Sequence, residues 1–167
     1  MDLIPSSFVT ECLATMKLPS AATAIDIPCG YGRHSVLLAS LGYEVFCADY
    51  DFEALSNIRS GYGKRMHPIH LDAKKDLPFK DGSLGVAVVV HFTYPRLISR
   101  LTKLLLPGGY LIYETFGGQG ENWRSLPVKG EIASELKNSS NIIKYNEHHV
   151  GPVQHQKVSV KLFAIRR

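Results

Sequence analysis

The chain has 167 residues, 45% of them hydrophobic and 20% charged. That length suits one domain with a sizeable core, and that composition is of a soluble globular protein, not a disordered or fibrous one. The formal net charge of +4 permits nucleic-acid binding without requiring it, and no run of basic residues occurs.

Strand-like and helix-like patterns alternate through most of the sequence. This predicts an α/β fold: one Rossmann-like domain over 1–167, about seven strands in a mostly parallel sheet with a reversed last strand, and helices on both faces. Residues 6–17 read as a short helix, within an N-terminal helical cap over 1–20. Ser6 or Ser7 caps it, and Phe8, Cys12 and Met16 share one face. Residues 23–27 read as the first strand, and 32–41 as a helix stopped by Gly42. Residues 44–48 form a second strand. Asp51 caps the next helix, in which Phe52, Leu55 and Ile58 repeat at three-residue spacing. A third strand covers 66–71, and Pro78, Asp81 and Gly82 mark 72–83 as a loop.

Residues 84–90 are nearly all apolar, as a strand buried on both faces requires. Residues 95–106 form a helix, which Pro107-Gly108-Gly109 breaks before a strand over 110–115. Arg96, Arg100 and Lys103 fall on one stripe of that helix and read as a solvated face. Residues 116–126 are glycine-rich and irregular, and 129–137 form a short helix. Two strands follow over 141–147 and 157–165. Their connection of about ten residues is too short for a parallel crossover, so they form an antiparallel hairpin.

The informative stretch is Asp26-Ile27-Pro28-Cys29-Gly30-Tyr31-Gly32-Arg33-His34, where a strand enters a glycine-containing turn and then a helix. Glycines there allow positive φ and close approach of backbone to ligand. The helix start offers unpaired N–H groups to carboxylate or phosphate oxygens. Asp49 ends the second strand, where a carboxylate accepts hydrogen bonds from both hydroxyls of a ribose.

With Asp26-x-x-Cys29-Gly30-x-Gly32-Arg33, then Asp49, then Asp72, and the later turn 106–111, the chain resembles the class I S-adenosylmethionine-dependent methyltransferases. Through Gly30-Tyr31-Gly32-Arg33-His34, Tyr113-Glu114-Thr115-Phe116 and Lys129-Gly130-Glu131-Ile132 it is similar, more narrowly, to the tellurite-resistance methyltransferase-like group. The resemblance implies a transferase with S-adenosylmethionine as cofactor. It implies that Gly30 and Gly32 shape the loop under the methionine part, that Asp26 binds the amino group and that Arg33 pairs with the carboxylate. Asp49 would hold the ribose, and Asp72 and Ala73 would meet the adenine edge. Cys29, Tyr50 and His91 complete the implied cofactor contacts, His91 lying beside the cofactor and facing the substrate. Where the family usually has a glycine, this chain has Pro28, which removes an N–H.

Methyl transfer from a sulfonium is an in-line displacement in which positioning does much of the work. A thiolate needs little more, whereas an oxygen or ammonium nucleophile needs a base. His91 is the candidate catalytic base, because imidazole titrates near neutral pH; packing against the cofactor is its other, favoured reading. The expected acceptor is a small molecule, a thiol or chalcogen oxyanion by resemblance to the narrower group, and nucleic acid is not expected. Residues 117–120, with Trp123 nearby, read as a lid over it. His148, His149 and His155 invite a metal, but adjacent histidines on a strand point to opposite faces and no ligand set is completed, so no metal is expected. Two other functions compete: a non-catalytic module that keeps the fold for cofactor or partner binding, and an NAD(P)-dependent oxidoreductase, which Gly30-x-Gly32 half supports without its third glycine. The apolar run 84–92 is too short to span a bilayer. With no basic stretch before an apolar one at the start, a cytoplasmic location is expected. Three scattered cysteines give no disulfide framework and read as reduced thiols. Oligomeric state has no signature in the sequence.

Overall fold

The computed structural model describes residues 4–17, 22–61, 63–116 and 121–167. Its helices are α1 (Ser7–Thr15), α2 (Arg33–Ser40), α3 (Phe52–Gly61), α4 (Pro95–Leu104) and α5 (Glu131–Leu136). Its strands are β1 (Thr23–Asp26), β2 (Glu44–Asp49), β3 (Met66–His70), β4 (Leu84–Val90), β5 (Leu105–Glu114), β6 (Ser140–His149) and β7 (Val158–Arg166). Among the described residues these strands form one seven-stranded sheet in the order β3-β2-β1-β4-β5-β7-β6. All neighbours are parallel from β3 to β5; β7 runs antiparallel to both β5 and β6, so the expected reversed last strand is present.

The alternation of β4 explains the layers. Ala87 and Val89 point into one core with Leu97, Ile98 and Leu101 of α4 and Ile132 and Leu136 of α5. Val86, Val88 and Val90 point into the other, with Phe8 and Cys12 of α1, Leu38 of α2, and Leu55 and Ile58 of α3. Both faces are therefore covered, as a parallel sheet requires. Leu101 is fully buried in the first core; truncating such a side chain to alanine costs about 2–5 kcal/mol.

Several local expectations shift. α1 has Ser6 at its N-cap position, but no side-chain cap bond is made there; the Ser6 hydroxyl donates instead to Oε2 of Glu114. Asp51 does cap α3, its Oδ1 accepting from the Glu53 and Ala54 amides at 2.9 and 3.1 Å. Phe52 does not join the inner face of α3: it is 69% exposed and Ala54 is buried in its stead. α4 stops at Leu104, and Pro107-Gly108-Gly109 lies inside β5 rather than ahead of it. The β4–β5 pairing shifts register there, and only glycine fits at 109: a Cβ would sit 2.9 Å from the Leu106 carbonyl oxygen and 3.1 Å from that of Gly85. β6 runs through His149, beyond the expected strand end.

Candidate functional site

Between β1 and β4 the order of the strands reverses direction. In open α/β sheets a crevice opens at that point, outside the carboxyl ends of the strands. Four neighbouring strands, β3, β2, β1 and β4, deliver there the loops carrying Asp72, Asp49, Asp26 and His91. Backbone bonds tie these loops together: Leu71 N donates to Asp49 O at 2.9 Å, Cys29 N to Ala48 O at 2.9 Å, and Ile27 N to Val88 O at 3.0 Å. The Ile27–Pro28 peptide is cis, and the amides on either side of Pro28 are the ones these last two bonds use.

Gly30 and Gly32 both have positive φ, 51° and 82°, but they differ in what surrounds them. A Cβ on Gly30 would meet nothing within 4 Å, so open space faces the loop there; one on Gly32 would press on Ile58 at 3.0 Å. Gly32 thus serves α2, whose N-cap it is, and the packing of the loop on α3. The Gly30 amide donates to Asp49 Oδ2 at 2.6 Å, and the Asp51 amide to Asp49 Oδ1 at 2.9 Å. Both carboxylate oxygens of Asp49 are engaged by backbone, with lone pairs left over.

Asp26 is fully buried. Its Oδ2 accepts from the Ser35 hydroxyl at 2.7 Å, while Oδ1 is buried with no hydrogen-bond partner among the described residues. Burial pushes its pKa up to about 7, against the Ser35 hydrogen bonds and the charge of Arg33, which lower it. The Cys29 thiol is buried and held protonated chiefly by that burial. Arg33 opens α2, and its charge acts on Asp26, His34 and His91. Tyr50 is 72% exposed, with its ring 5.6 Å from that of His70. Asp72 Oδ1 accepts from the Lys74 amide at 2.9 Å. Ala73 is buried, and its carbonyl accepts from Arg100 Nη1 at 3.5 Å.

His91 has φ 62°, a left-handed conformation uncommon outside glycine and often found at functional sites. Its amide donates to Glu114 O at 2.9 Å, and its ring lies edge-on to Phe116 with centroids 4.1 Å apart. Burial, then the Arg33 charge, lowers its pKa; Glu114 acts the other way. The imidazole is therefore neutral at pH 7.

Three residues at this end of the sheet meet in a cluster that the sequence does not announce: Ser6, His34 and Glu114. Glu114 is fully buried at the end of β5 and pairs with Lys161 Nζ at 3.3 Å. The Ser6 hydroxyl reaches it, and the Ser6 amide donates to His34 Nε2 at 3.2 Å. Burial, with Arg33 and His91 nearby, lowers the His34 pKa to about 4, which suits an acceptor nitrogen. Ser6 stands 28 residues from His34 and 108 from Glu114, so only the fold brings them together. The lid expected over 117–120 lies outside the described residues.

The group implied by the resemblance, S-adenosylmethionine, carries an ammonium and a carboxylate, a ribose and an adenine. A buried carboxylate oxygen with nothing to accept from suits the ammonium, the amides opening α2 suit the carboxylate, and the open space over Gly30 admits the chain between them. The residues present fit the group.

Comparison with known proteins agrees. The family described as "Methyltransferase domain" matches residues 25–113, more than half of the chain. No curated protein shows significant similarity. Among solved structures, an S-adenosylmethionine-dependent methyltransferase from Mesorhizobium loti superposes with a TM-score of 0.76 at 15% identity, covering 99% of this chain and 100% of that one. An S-adenosylmethionine-dependent methyltransferase from Methanosarcina mazei gives 0.68 at 20% identity, covering 97% and 98%. Geranyl diphosphate C-methyltransferase from Streptomyces coelicolor, in complex with S-adenosyl-L-homocysteine, gives 0.74 at 15% identity, covering 96% of this chain and 78% of that one. The chain belongs to the methyltransferase domain family, and it is a methyltransferase with the fold of the S-adenosylmethionine-dependent enzymes.

Proposed function

We propose that the protein transfers the methyl group of S-adenosylmethionine to a small molecule bearing a soft nucleophile, a thiol or a chalcogen oxyanion, as the similarity to the tellurite-resistance group suggests. Asp26 takes the ammonium of the cofactor, whose arrival supplies the partner that Oδ1 lacks. Arg33 and the start of α2 take its carboxylate, and Gly30, with Cys29 behind it, leaves room for the chain. Asp49 holds the ribose with Tyr50 beside it, and Asp72 and Ala73 border the adenine. S-adenosylmethionine supplies a sulfonium methyl group: the acceptor's lone pair forms the new bond to carbon, the electrons of the broken C–S bond go to sulfur, and any acceptor proton passes to water. His91 lines the place where the acceptor stands; being neutral, it packs there without repelling the sulfonium.

One observation carries the choice of a small acceptor. Nucleic-acid recognition needs a track of many phosphate contacts, and the positive charges here are dispersed. The test is a melting-temperature assay beside a methyl-transfer panel. S-adenosylhomocysteine is expected to stabilise the fold by about 2.7 kcal/mol at a hundredfold excess over Kd, and nicotinamide cofactors to do nothing. Small thiols are expected to be methylated. Methylation of total RNA with salt-sensitive binding, and none of thiols, would overturn the small-molecule reading; cofactor binding without any turnover would favour a non-catalytic module.

A further inference from the structure

Beside the β7 end of the sheet lies a groove of about 410 Å³ lined by Trp123, Arg124, Pro152, His155 and Lys157. It is at the crevice end. β7 starts at Val158, and Val160 accepts from the Thr115 amide and donates its own amide to the Thr115 Oγ1, at the end of β5, next to the carbonyl that receives the His91 amide. Its size falls within the 300–1,000 Å³ of small-molecule sites.

The groove is built, not incidental. Trp123 sits in a short helical turn, Glu121–Ser125, against the tip of the β6–β7 hairpin. A Cβ on Gly151 would lie 2.8 Å from the indole, so only glycine, here at φ 75°, lets the tip close onto the ring. Val158 N to Pro127 O at 3.0 Å and Lys129 N to Gln156 O at 2.9 Å lock the two segments together, and Val150 N to Lys157 O at 2.8 Å closes the hairpin tip itself. Lys157 Nζ donates to the Leu126 carbonyl at 2.6 Å, which fixes its charge at the groove and leaves it further donors. Arg124 lies over the indole with its guanidinium carbon 4.8 Å from the ring centroid, and the His155 ring centroid is 4.9 Å from that of Trp123. Held over the ring, the guanidinium brings its N–H donors to the groove. None of the five lining residues is acidic. Of the nearby carboxylates among the described side chains, Glu131 accepts from the Val128 amide and Glu147 from the Gly130 amide, at 2.9 and 2.8 Å.

We infer that this groove is the anion-recognising subsite for the methyl acceptor: it takes a carboxylate or phosphate carried on a flat apolar body, the anion on Arg124 and Lys157 and the body against Trp123 and Pro152. The inference rests on the reading of the crevice as a small-molecule methyltransferase site. A planar, bidentate donor beside a second cation is the arrangement that selects carboxylate and phosphate oxygens over neutral groups.

Trp123 is the single tryptophan of the chain, so its fluorescence reports the groove alone. The protein saturated with S-adenosylhomocysteine is titrated with 2-mercaptobenzoate, phenyl phosphate, neutral benzyl alcohol and cationic benzylammonium. The two anions are expected to give saturable changes that weaken with added salt, with benzyl alcohol and benzylammonium at least about tenfold weaker, the size of one lost charge-assisted hydrogen bond. Preference for phosphate or carboxylate between the first two probes tells which anion the acceptor carries. Arg124→Ala is expected to remove about tenfold of anion affinity and Arg124→Lys to restore part of it, while S-adenosylhomocysteine affinity by calorimetry stays unchanged. Equal response to neutral and anionic probes would overturn the subsite, as would an RNA oligonucleotide displacing the anions at lower concentration. If S-adenosylhomocysteine fails to bind but the anions still report through Trp123, the cofactor reading fails and the groove stands as an anion site without its role toward a methyl acceptor.

Discussion

On the β1–β2 side of the crevice the groups proposed to meet the methionine and ribose parts of the cofactor come from one uninterrupted stretch, 26–50, and their positions are set by bonds within it, such as Gly30 N to Asp49 and Ser35 to Asp26. On the β5–β7 side the corresponding groups, Ser6, Glu114, Trp123 and Lys157, come from four separated segments and meet only through tertiary contacts. The first side handles a ligand whose chemistry does not vary, and a short strand–turn–helix suffices for it. The second is assembled from loops and a hairpin tip, which change without disturbing the sheet. The two sides therefore break differently: substitutions on the first show up in cofactor affinity or stability, those on the second in acceptor choice.

The sharpest contrast within the first side is between its two glycines. Gly32→Ala combines a strained left-handed alanine, about 1–2 kcal/mol, with pressure on Ile58 3.0 Å away, which adds about 1–3 kcal/mol. A loss of roughly 2–5 kcal/mol in urea denaturation is expected. Gly30→Ala meets open space, so only the backbone term of about 1–2 kcal/mol applies, and the larger loss falls on S-adenosylhomocysteine affinity. Equal stability loss in both variants would show that the loop does not pack on α3 in this way.

The next effect is of pH. The folded pKa of Asp26 is raised to about 7 from an ordinary value of 3.8. Its contribution to stability is thus fully present below 3.8 and lost as pH rises through about 7. His34 is lowered from 6.5 to about 4, so it costs stability as pH falls through that window. The two oppose one another over nearly the same range. Asp26→Asn is expected to gain about 2 kcal/mol at pH 8, a fraction of what a buried carboxylate forfeits there, and to leave a stability profile that climbs from about pH 4 to 6.5. The same variant is expected to bind S-adenosylhomocysteine more weakly and to lose the rise in affinity that the wild type shows as pH passes upward through about 7. Calorimetry in buffers of different ionisation enthalpy reads the accompanying proton release.

Asp49→Ala follows. The sequence points to a ribose ligand alone, but the structure adds two backbone donors at 2.6 and 2.9 Å. Stability is expected to fall by about 1.5–3 kcal/mol even without cofactor, the range for a hydrogen bond to a charged group. An unchanged melting temperature would mean that the loop holds its shape without the carboxylate.

These cases show what was legible beforehand. The order of strands and helices, the reversed β7 and the 26–34 loop follow from periodicity, breakers and local motif, because each is a property of a short window. Phe52 and the stop of α4 were misplaced because helical spacing does not say which stripe the neighbouring elements leave open. The burial of Glu114, its clasp on Ser6 and the pairing of Trp123 with Gly151 had no sequence signal at all, since the partners lie 28 or more residues apart.

The smallest expected effect separates the two readings of His91. As a base it would have to hold an accepted proton, but burial and Arg33 already lower its pKa, and the ring is engaged edge-on by Phe116 at 4.1 Å. A thiol acceptor ionises without it. His91→Asn is the clean substitution, because asparagine tolerates the φ of 62° that His91 adopts, so backbone strain does not change with the side chain. With a thiol acceptor, kcat is expected to fall by less than about tenfold and its pH profile to follow the thiol in both proteins, well short of the roughly 10²–10⁴-fold that a general base contributes. KM for the acceptor is expected to rise more than kcat falls if, as proposed, the imidazole forms part of the wall against which the acceptor stands. A loss of about a hundredfold or more in kcat, together with the disappearance of an acidic limb from the profile, would make His91 the base after all and turn the acceptor reading toward an oxygen or nitrogen nucleophile.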